Sequence, residues 1–358
     1  MLALEDECRL AFCVGVGGVG KTTFAAALGL SEALRGRSVL VLTADPARRL
    51  ADALGIRGLQ DVPSDVRLPR NCGGELHAAM LETKASADAI IRRAAHDEVS
   101  AQRVLDNRIY QAFSNTLARS HAYAAMERVY ETMHDSRYDL VVIDTPPAQS
   151  SVEILDAPDR LVRFLDQRVV RWFLQASGDA SGRPRRTLAQ RLLRTVAGES
   201  LVSALTEFLT EMSFMREGFA ERATVVRDVM RSSQAKFVLV SSADSVGIQA
   251  ARSVAEEVVS RQFSLDHIVF NRAFIAEVDL SDVTSPVYPE RLASLAPKLA
   301  QMHETLAEEQ GRKHANMVAF CEEHASTAWK LPEATRPLGD PSALAAWIAL
   351  GRLVEAVR

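Results

Sequence analysis

Lysine is scarce in this chain of 358 residues: six occur, at positions 21, 84, 236, 298, 313 and 330. Acidic residues outnumber basic ones, 46 to 42, and the formal net charge is −4. No surplus of positive charge is available for a polyanion, so nucleic acid is not an expected partner. Cysteine is scarce too. Cys8, Cys13, Cys72 and Cys321 contain no C-x-x-C pair, which excludes a disulfide scaffold and the common zinc modules and points to free thiols in a reducing compartment. The histidines show no H-x-x-x-H spacing. No window of about 20 apolar residues is free of charge, so no membrane-spanning helix is expected. The start, MLALEDECRL, is acidic and lacks a basic segment followed by a long apolar one, so a cytoplasmic location is expected rather than export. Internal repeats and low-complexity tracts are also missing.

What is present is core-forming residue in quantity: 47% of the chain is hydrophobic. Apolar runs rich in β-formers alternate with helical patterns, which predicts an α/β fold with a mostly parallel sheet flanked by helices. RLAFCVG (9–15), RSVLVLTAD (37–45), ELHAAML (75–81), YDLVVIDTPP (138–147), KFVLVSSAD (236–244) and LDHIVFNRA (265–273) read as strands, with a short last one near Ala328 to Leu331. Thr22 to Leu34 reads as a helix stopped by Gly36. Two long stretches, 84–135 and 152–231, carry helical spacing and are too long for simple crossovers. The expectation is one domain over 1–358 with a large inserted helical subdomain built from them. Within the second, SGDASGRPRR (177–186) reads as a loop. The tail SALAAWIALGRLVEAVR (342–358) reads as one amphipathic helix docked on the sheet.

Residues 14–23, VGVGGVGKTT, contain G-x-x-x-x-G-K-[ST] between a predicted strand and a predicted helix, the context that a phosphate-binding (P-loop) motif requires. Gly17, Gly18, Val19, Gly20, Lys21, Thr22 and Thr23 would supply backbone N–H groups and a helix N-terminus to phosphate oxygens. Lys21 would reach the β- and γ-phosphates, and the Thr22 hydroxyl would bind Mg²⁺. ATP and Mg²⁺ are the cofactors this implies.

Two more strand ends carry acids. In TADPARRLADAL (43–54), Asp45 is the candidate to orient or deprotonate an attacking water. In VVIDTPP (141–147), Asp144 is the candidate magnesium-side carboxylate. Ligands of open parallel sheets sit outside the carboxyl ends of the strands, where both acids fall. Asp52 either faces the same site or caps a surface turn.

GGVGKTT, TADPARRLADALG and IDTPP, in this order, resemble the arsenical-pump-driving and tail-anchored-protein-targeting ATPases of the deviant-Walker-A group. The likeness spans nearly the whole chain, and GGELHAAMLETK (73–84) and LDAPDRLVRFLD (155–166) look closest to a bacterial branch of anion-transporting ATPases. The resemblance implies a P-loop NTPase fold and Mg²⁺-dependent ATP hydrolysis coupled to dimer opening and closing. It assigns Asp45 to the first switch, Asp144 to the second, and an adenine-reading role to Asn271 in FNR (270–272). It likens LPEATRPLGDPSAL (331–344) to a loop closing over the base.

Departures limit the transfer. Val16 stands where the group has a lysine that crosses to the partner's phosphates. PAQSS (147–151) replaces the usual continuation of the second switch, and no cysteine set matches the family's zinc clamp or metalloid site. A homodimer of this chain should therefore hydrolyse slowly. Two arrangements would complete the site: a heterodimer with a related, lysine-bearing subunit, or an arginine of the pair Arg48 and Arg49. LVSALTEFLTEMSFMREGF (201–219) fits either an adaptable surface for a client or membrane-protein partner, or the packing of a helical subdomain. The expected activity is that of an ATPase acting as a nucleotide-driven switch. The alternative is an ATP-binding regulatory subunit that hydrolyses little. Neither the cargo nor any role for a metalloid is legible.

Overall fold

A computed structural model describes residues 3–45, 47–68, 73–81, 88, 91–92, 95–111, 121–146, 155–160, 199–274, 289–324, 326–335 and 337–354. The loop expected at 177–186, the second-switch continuation at 147–151 and Cys72 lie outside the described residues.

The strands are β1 (Leu10–Val14), β2 (Ser38–Thr43), β3 (Ser64–Asp65), β4 (Glu75–Met80), β5 (Leu140–Asp144), β6 (Ala235–Ser242), β7 (Leu265–Phe274), β8 (Thr327–Pro332) and β9 (Arg352–Leu353). They form one mixed sheet in the order β3-β4-β2-β5-β1-β6-β7-β8-β9. Every pairing from β4 to β8 is parallel, and the two-residue edges β3 and β9 run antiparallel. The carboxyl ends of β2, β5, β1, β6 and β7 thus share one rim, with Thr43 and Cys13 both opposite Asp144.

Both faces of the sheet are covered, which explains the unbroken apolar runs of the central strands. Leu10, Phe12 and Val14 point into one core layer with Ile143, Phe237 and Phe270. Ala11 and Cys13 point into the other with Val41, Val142 and Val238. On the second face lie α1 (Lys21–Leu34) and α8 (Pro341–Ala349), whose Leu344, Trp347 and Ile348 are buried in that layer. The first face is covered by α4 (His121–His134), α5 (Glu199–Met230), α6 (Ser245–Ser260) and α7 (Pro289–His324), which contribute Val129, Val226, Val254 and Phe320. α2 (Arg49–Leu54) follows β2. α3 (Glu98–Asp106) meets α5 over a satellite cluster of Val104, Leu105, Tyr110 and Phe219. Among the described residues no helix is long and apolar enough to cross a membrane.

The tail departs from its sequence reading. The helix expected over 342–358 ends at Ala349, and Arg352–Leu353 pairs with β8. Leu350 caps the helix in a tight turn: the Leu350 N–H closes onto Trp347 O and the Gly351 N–H onto Ile348 O, each at 3.1 Å, and the Val354 N–H then bonds Ala328 O at 2.9 Å. Edge pairing satisfies β8 at the cost of the last helical turns. The expected docking of the helix on the sheet holds.

Candidate functional site

The loop between β1 and α1 has a backbone that only its sequence permits. Gly15, Gly18 and Gly20 take φ of 149°, 80° and 92°. A Cβ on Gly15 would lie 2.2 Å from Val240 O, and one on Gly20 would lie 2.3 Å from Asn271 Nδ2. Strand β6 and the end of β7 therefore grip the loop at two points that exclude any side chain. α3, α6 and α8 are capped by the carboxylates of Asp97, Asp244 and Asp340. α1 begins on left-handed Gly20 with neither a side-chain cap nor an acid in its first turn. Its N-terminal N–H groups are left to an anion, as the motif requires.

Lys21 is 6% exposed and donates from Nζ to Val16 O at 2.8 Å. Burial pushes its ammonium below the ordinary lysine range, and the nearby Asp144 carboxylate pulls it back up. Val16 is half-buried and packs against both core layers. Its apolar side chain leans on the core, while its carbonyl holds Lys21.

Asp144 ends β5 almost wholly buried. Its Oδ2 accepts from Thr43 Oγ1 at 2.9 Å, and the same Thr43 oxygen accepts the Asp45 N–H at 3.1 Å. One hydroxyl thus joins the two acid-bearing strand ends. Burial raises the Asp144 carboxyl to about 6, against the opposing pull of the Thr22 and Thr43 hydroxyls and of Lys21. Its Oδ1 is buried without a hydrogen-bond partner. A lone carboxylate oxygen near the Thr22 hydroxyl is a donor set suited to a hard divalent cation such as Mg²⁺. Thr145 anchors the next turn, its hydroxyl on Cys13 O at 2.7 Å.

Asp45 is held otherwise. Its Oδ1 accepts the Ala47 N–H at 2.9 Å, and its Oδ2 pairs with Arg49 Nη1 at 3.1 Å. In this state the Asp45 carboxylate is engaged by its own turn, and Arg49 is engaged by Asp45. Asp52 is exposed on α2 and does not join the cluster. Asn271 is 6% exposed, with Nδ2 on Val19 O at 2.8 Å and Oδ1 accepting the Arg272 N–H at 2.8 Å. Arg272 itself is left-handed at φ 54°, a conformation that costs a non-glycine residue about 1–3 kcal/mol.

The structure thus brings Lys21, Thr22 and Asp144 together, sets Asp45 on the same rim through Thr43, and seats Asn271 on the loop. Sequence reasoning missed Thr43 and Val240. A hydroxyl two residues before Asp45, at a buried strand end, was the available signal for the first; the second acts through its carbonyl and leaves none.

The sequence profile of the anion-transporting ATPases matches residues 8–308. An uncharacterized protein of Streptomyces coelicolor is 28% identical over 316 residues, which cover 87% of this chain and 71% of that protein. The ATPase GET3 of Kluyveromyces lactis is 22% identical over 298 residues, covering 78% and 76%. An ATPase ASNA1 homolog of Cryptosporidium parvum is 23% identical over 266 residues, covering 73% of this chain but only 64% of the relative. With its phosphate loop and acidic strand ends in the order the motifs require, the chain belongs to the anion-transporting ATPase family and is an ATPase.

Proposed function

We propose that the protein is a Mg²⁺-dependent ATPase that works as a nucleotide-driven dimeric switch, coupling ATP hydrolysis to the handling of a client or partner protein. The observation that carries this reading is the Thr43 hydroxyl, which links the Asp45 backbone to the Asp144 carboxylate beside Lys21. A change at the γ-phosphate would reach both strand ends through that one group, which is the kind of local event that drives order changes in nucleotide switches.

In this reading the loop N–H groups from Gly17 to Thr23 and Lys21 bind the phosphates. Thr22 and Asp144 would hold Mg²⁺, which would supply positive charge against the phosphates. Asp45 leaves Arg49 to orient the attacking water. A helical subdomain from 84–135 and 152–231 would carry the client, and the protein would act in the cytoplasm as a homodimer or with a related subunit.

The packing of Val16 favours a second reading. A half-buried apolar residue packed against both core layers brings no charge to a partner's phosphates. The chain would then bind ATP, hydrolyse little, and complete the site of a lysine-bearing relative.

Steady-state ATP hydrolysis by the purified chain, with Lys21→Ala as background and light scattering with and without ATP, separates the two. Turnover with an ATP-dependent dimer supports the first. Tight ATP binding with turnover at background supports the second. Absence of ATP binding overturns both.

A further inference from the structure

We propose that Asn271 is a positioning residue for the phosphate loop, a strut that ties Val19 to the end of β7 and holds the loop in its anion-binding shape before any ligand arrives. This goes beyond base recognition, and it rests on reading the loop as the phosphate site.

Both ends of the Asn271 amide are committed to backbone. Nδ2 donates to Val19 O at 2.8 Å, and Oδ1 accepts the Arg272 N–H at 2.8 Å. A flipped amide would set oxygen against the Val19 carbonyl and nitrogen against the Arg272 N–H, so the two partners determine its orientation. The second contact lies beside a backbone irregularity: Arg272, whose N–H it uses, is left-handed at φ 54°. Pairing of β7 with β8 is interrupted between Phe270 and Phe274, which frees that short piece of backbone to kink. Gly20 completes the fit, since a Cβ there would lie 2.3 Å from Nδ2. The requirement is specific. Aspartate lacks the donor, and alanine lacks both ends. One Nδ2 hydrogen has no partner among the described residues, so the strut and a bound base are compatible.

The strut acts on the phosphates, not the base, and a ligand with phosphates and no base exposes it. Calorimetry with Mg²⁺ would compare ATP with inorganic tripolyphosphate on the wild type, Asn271→Ala and Asn271→Asp. Loss of one buried hydrogen bond predicts that both variants bind tripolyphosphate about five- to tenfold more weakly, with a matching loss for ATP. Loss for ATP alone, or no loss at all, overturns the strut.

A wild type that binds neither ligand defeats the functional reading instead. Amide hydrogen exchange of the nucleotide-free protein then decides the strut separately. Faster exchange confined to the first bonded amide after the loop, the Phe24 N–H on Gly20 O, in both variants supports it. Unchanged exchange there, or equal loosening at Val354 on the far edge, overturns it. Asn271→Asp keeps an acceptor for the Arg272 N–H and serves if the alanine variant does not fold.

Discussion

The Lys21 ammonium donates to the carbonyl of Val16, so the residue that lacks the group's usual charge holds the loop lysine through its backbone. Any residue at position 16 keeps that carbonyl, and a substitution there tests the side chain alone. A lysine stem can cover the apolar surface Val16 now covers and carry its charge outward. Charge supplied in trans to a transferring phosphoryl group is worth on the order of 10³–10⁵ in rate. Val16→Lys is expected to raise steady-state ATP turnover at least tenfold. Unchanged turnover would mean that position 16 does not limit this enzyme.

The Asp45–Arg49 pair sets the next expectation. Arg49 is largely exposed, and such pairs contribute under about 1 kcal/mol to stability. Arg49→Ala should leave the melting temperature nearly unchanged. It should keep or raise turnover, because the carboxylate proposed to orient the attacking water is released. Asp45→Asn should lower turnover at least about 100-fold, the scale of a lost general base, with ATP affinity nearly unchanged. Turnover in Arg49→Ala as low as in Asp45→Asn would instead make Arg49 the group that supplies the missing charge.

The parts of this molecule legible in its sequence are those whose cause is local. Continuous apolar runs gave β1, β2, β5 and β6 because both faces of these strands are buried. The glycine spacing gave the loop because only glycine tolerates φ of 80° and 92° at Gly18 and Gly20. The contacts that organise the site are not local. Thr43 meets Asp144 across 101 residues, and Asn271 meets Val19 across 252. The Thr43 hydroxyl before Asp45 hints at a role without naming its partner, and no pattern of residue types announces the Asn271 bond. The edges were illegible for another reason. Ser64–Asp65 and Arg352–Leu353 are strands only because a neighbouring backbone is open to pairing. The outer turns of α7, exposed from 304 to 312, carry too few apolar residues for a strong helical pattern.

Asp144 makes stability depend on pH in a definite direction. Its carboxyl lies near 6 in the folded protein, against an ordinary value of 3.8, chiefly through burial. A raised carboxyl favours the folded state below about pH 4, and that contribution is lost as pH rises toward 6 and beyond. Lowered groups such as Glu5 and Asp244 act in the opposite sense, so the clean observable is a difference between variants. In chelator, Asp144→Asn should be more stable than wild type at pH 7.5 by about 1–3 kcal/mol. The gap should close near pH 4. Urea unfolding at both pH values measures it, and an equal gap at both would show that the Asp144 charge is not the cause.

Glu32 places a different carboxylate under test, on the opposite side of α1 from the loop. It is fully buried, accepts the Leu4 N–H at 3.1 Å, and holds Arg35 and Arg37 at 2.9 and 3.3 Å. Arg37 also reaches the carbonyls of Cys8 and Asp139, so one carboxylate joins the N-terminal segment, α1 and the start of β5. Removing the acid takes the counter-charge from two guanidinium groups, which keep only backbone carbonyls and the exposed Asp6, and orphans the Leu4 N–H, whereas an amide keeps an acceptor. Glu32→Ala should cost about 3 kcal/mol and Glu32→Gln roughly half as much. Because the cluster does not touch the phosphate loop, ATP affinity per folded molecule should be unchanged in both. Chemical denaturation gives the first number and calorimetry the second. A fall in affinity with full folding would show that the N-terminal segment is coupled to the nucleotide site through α1.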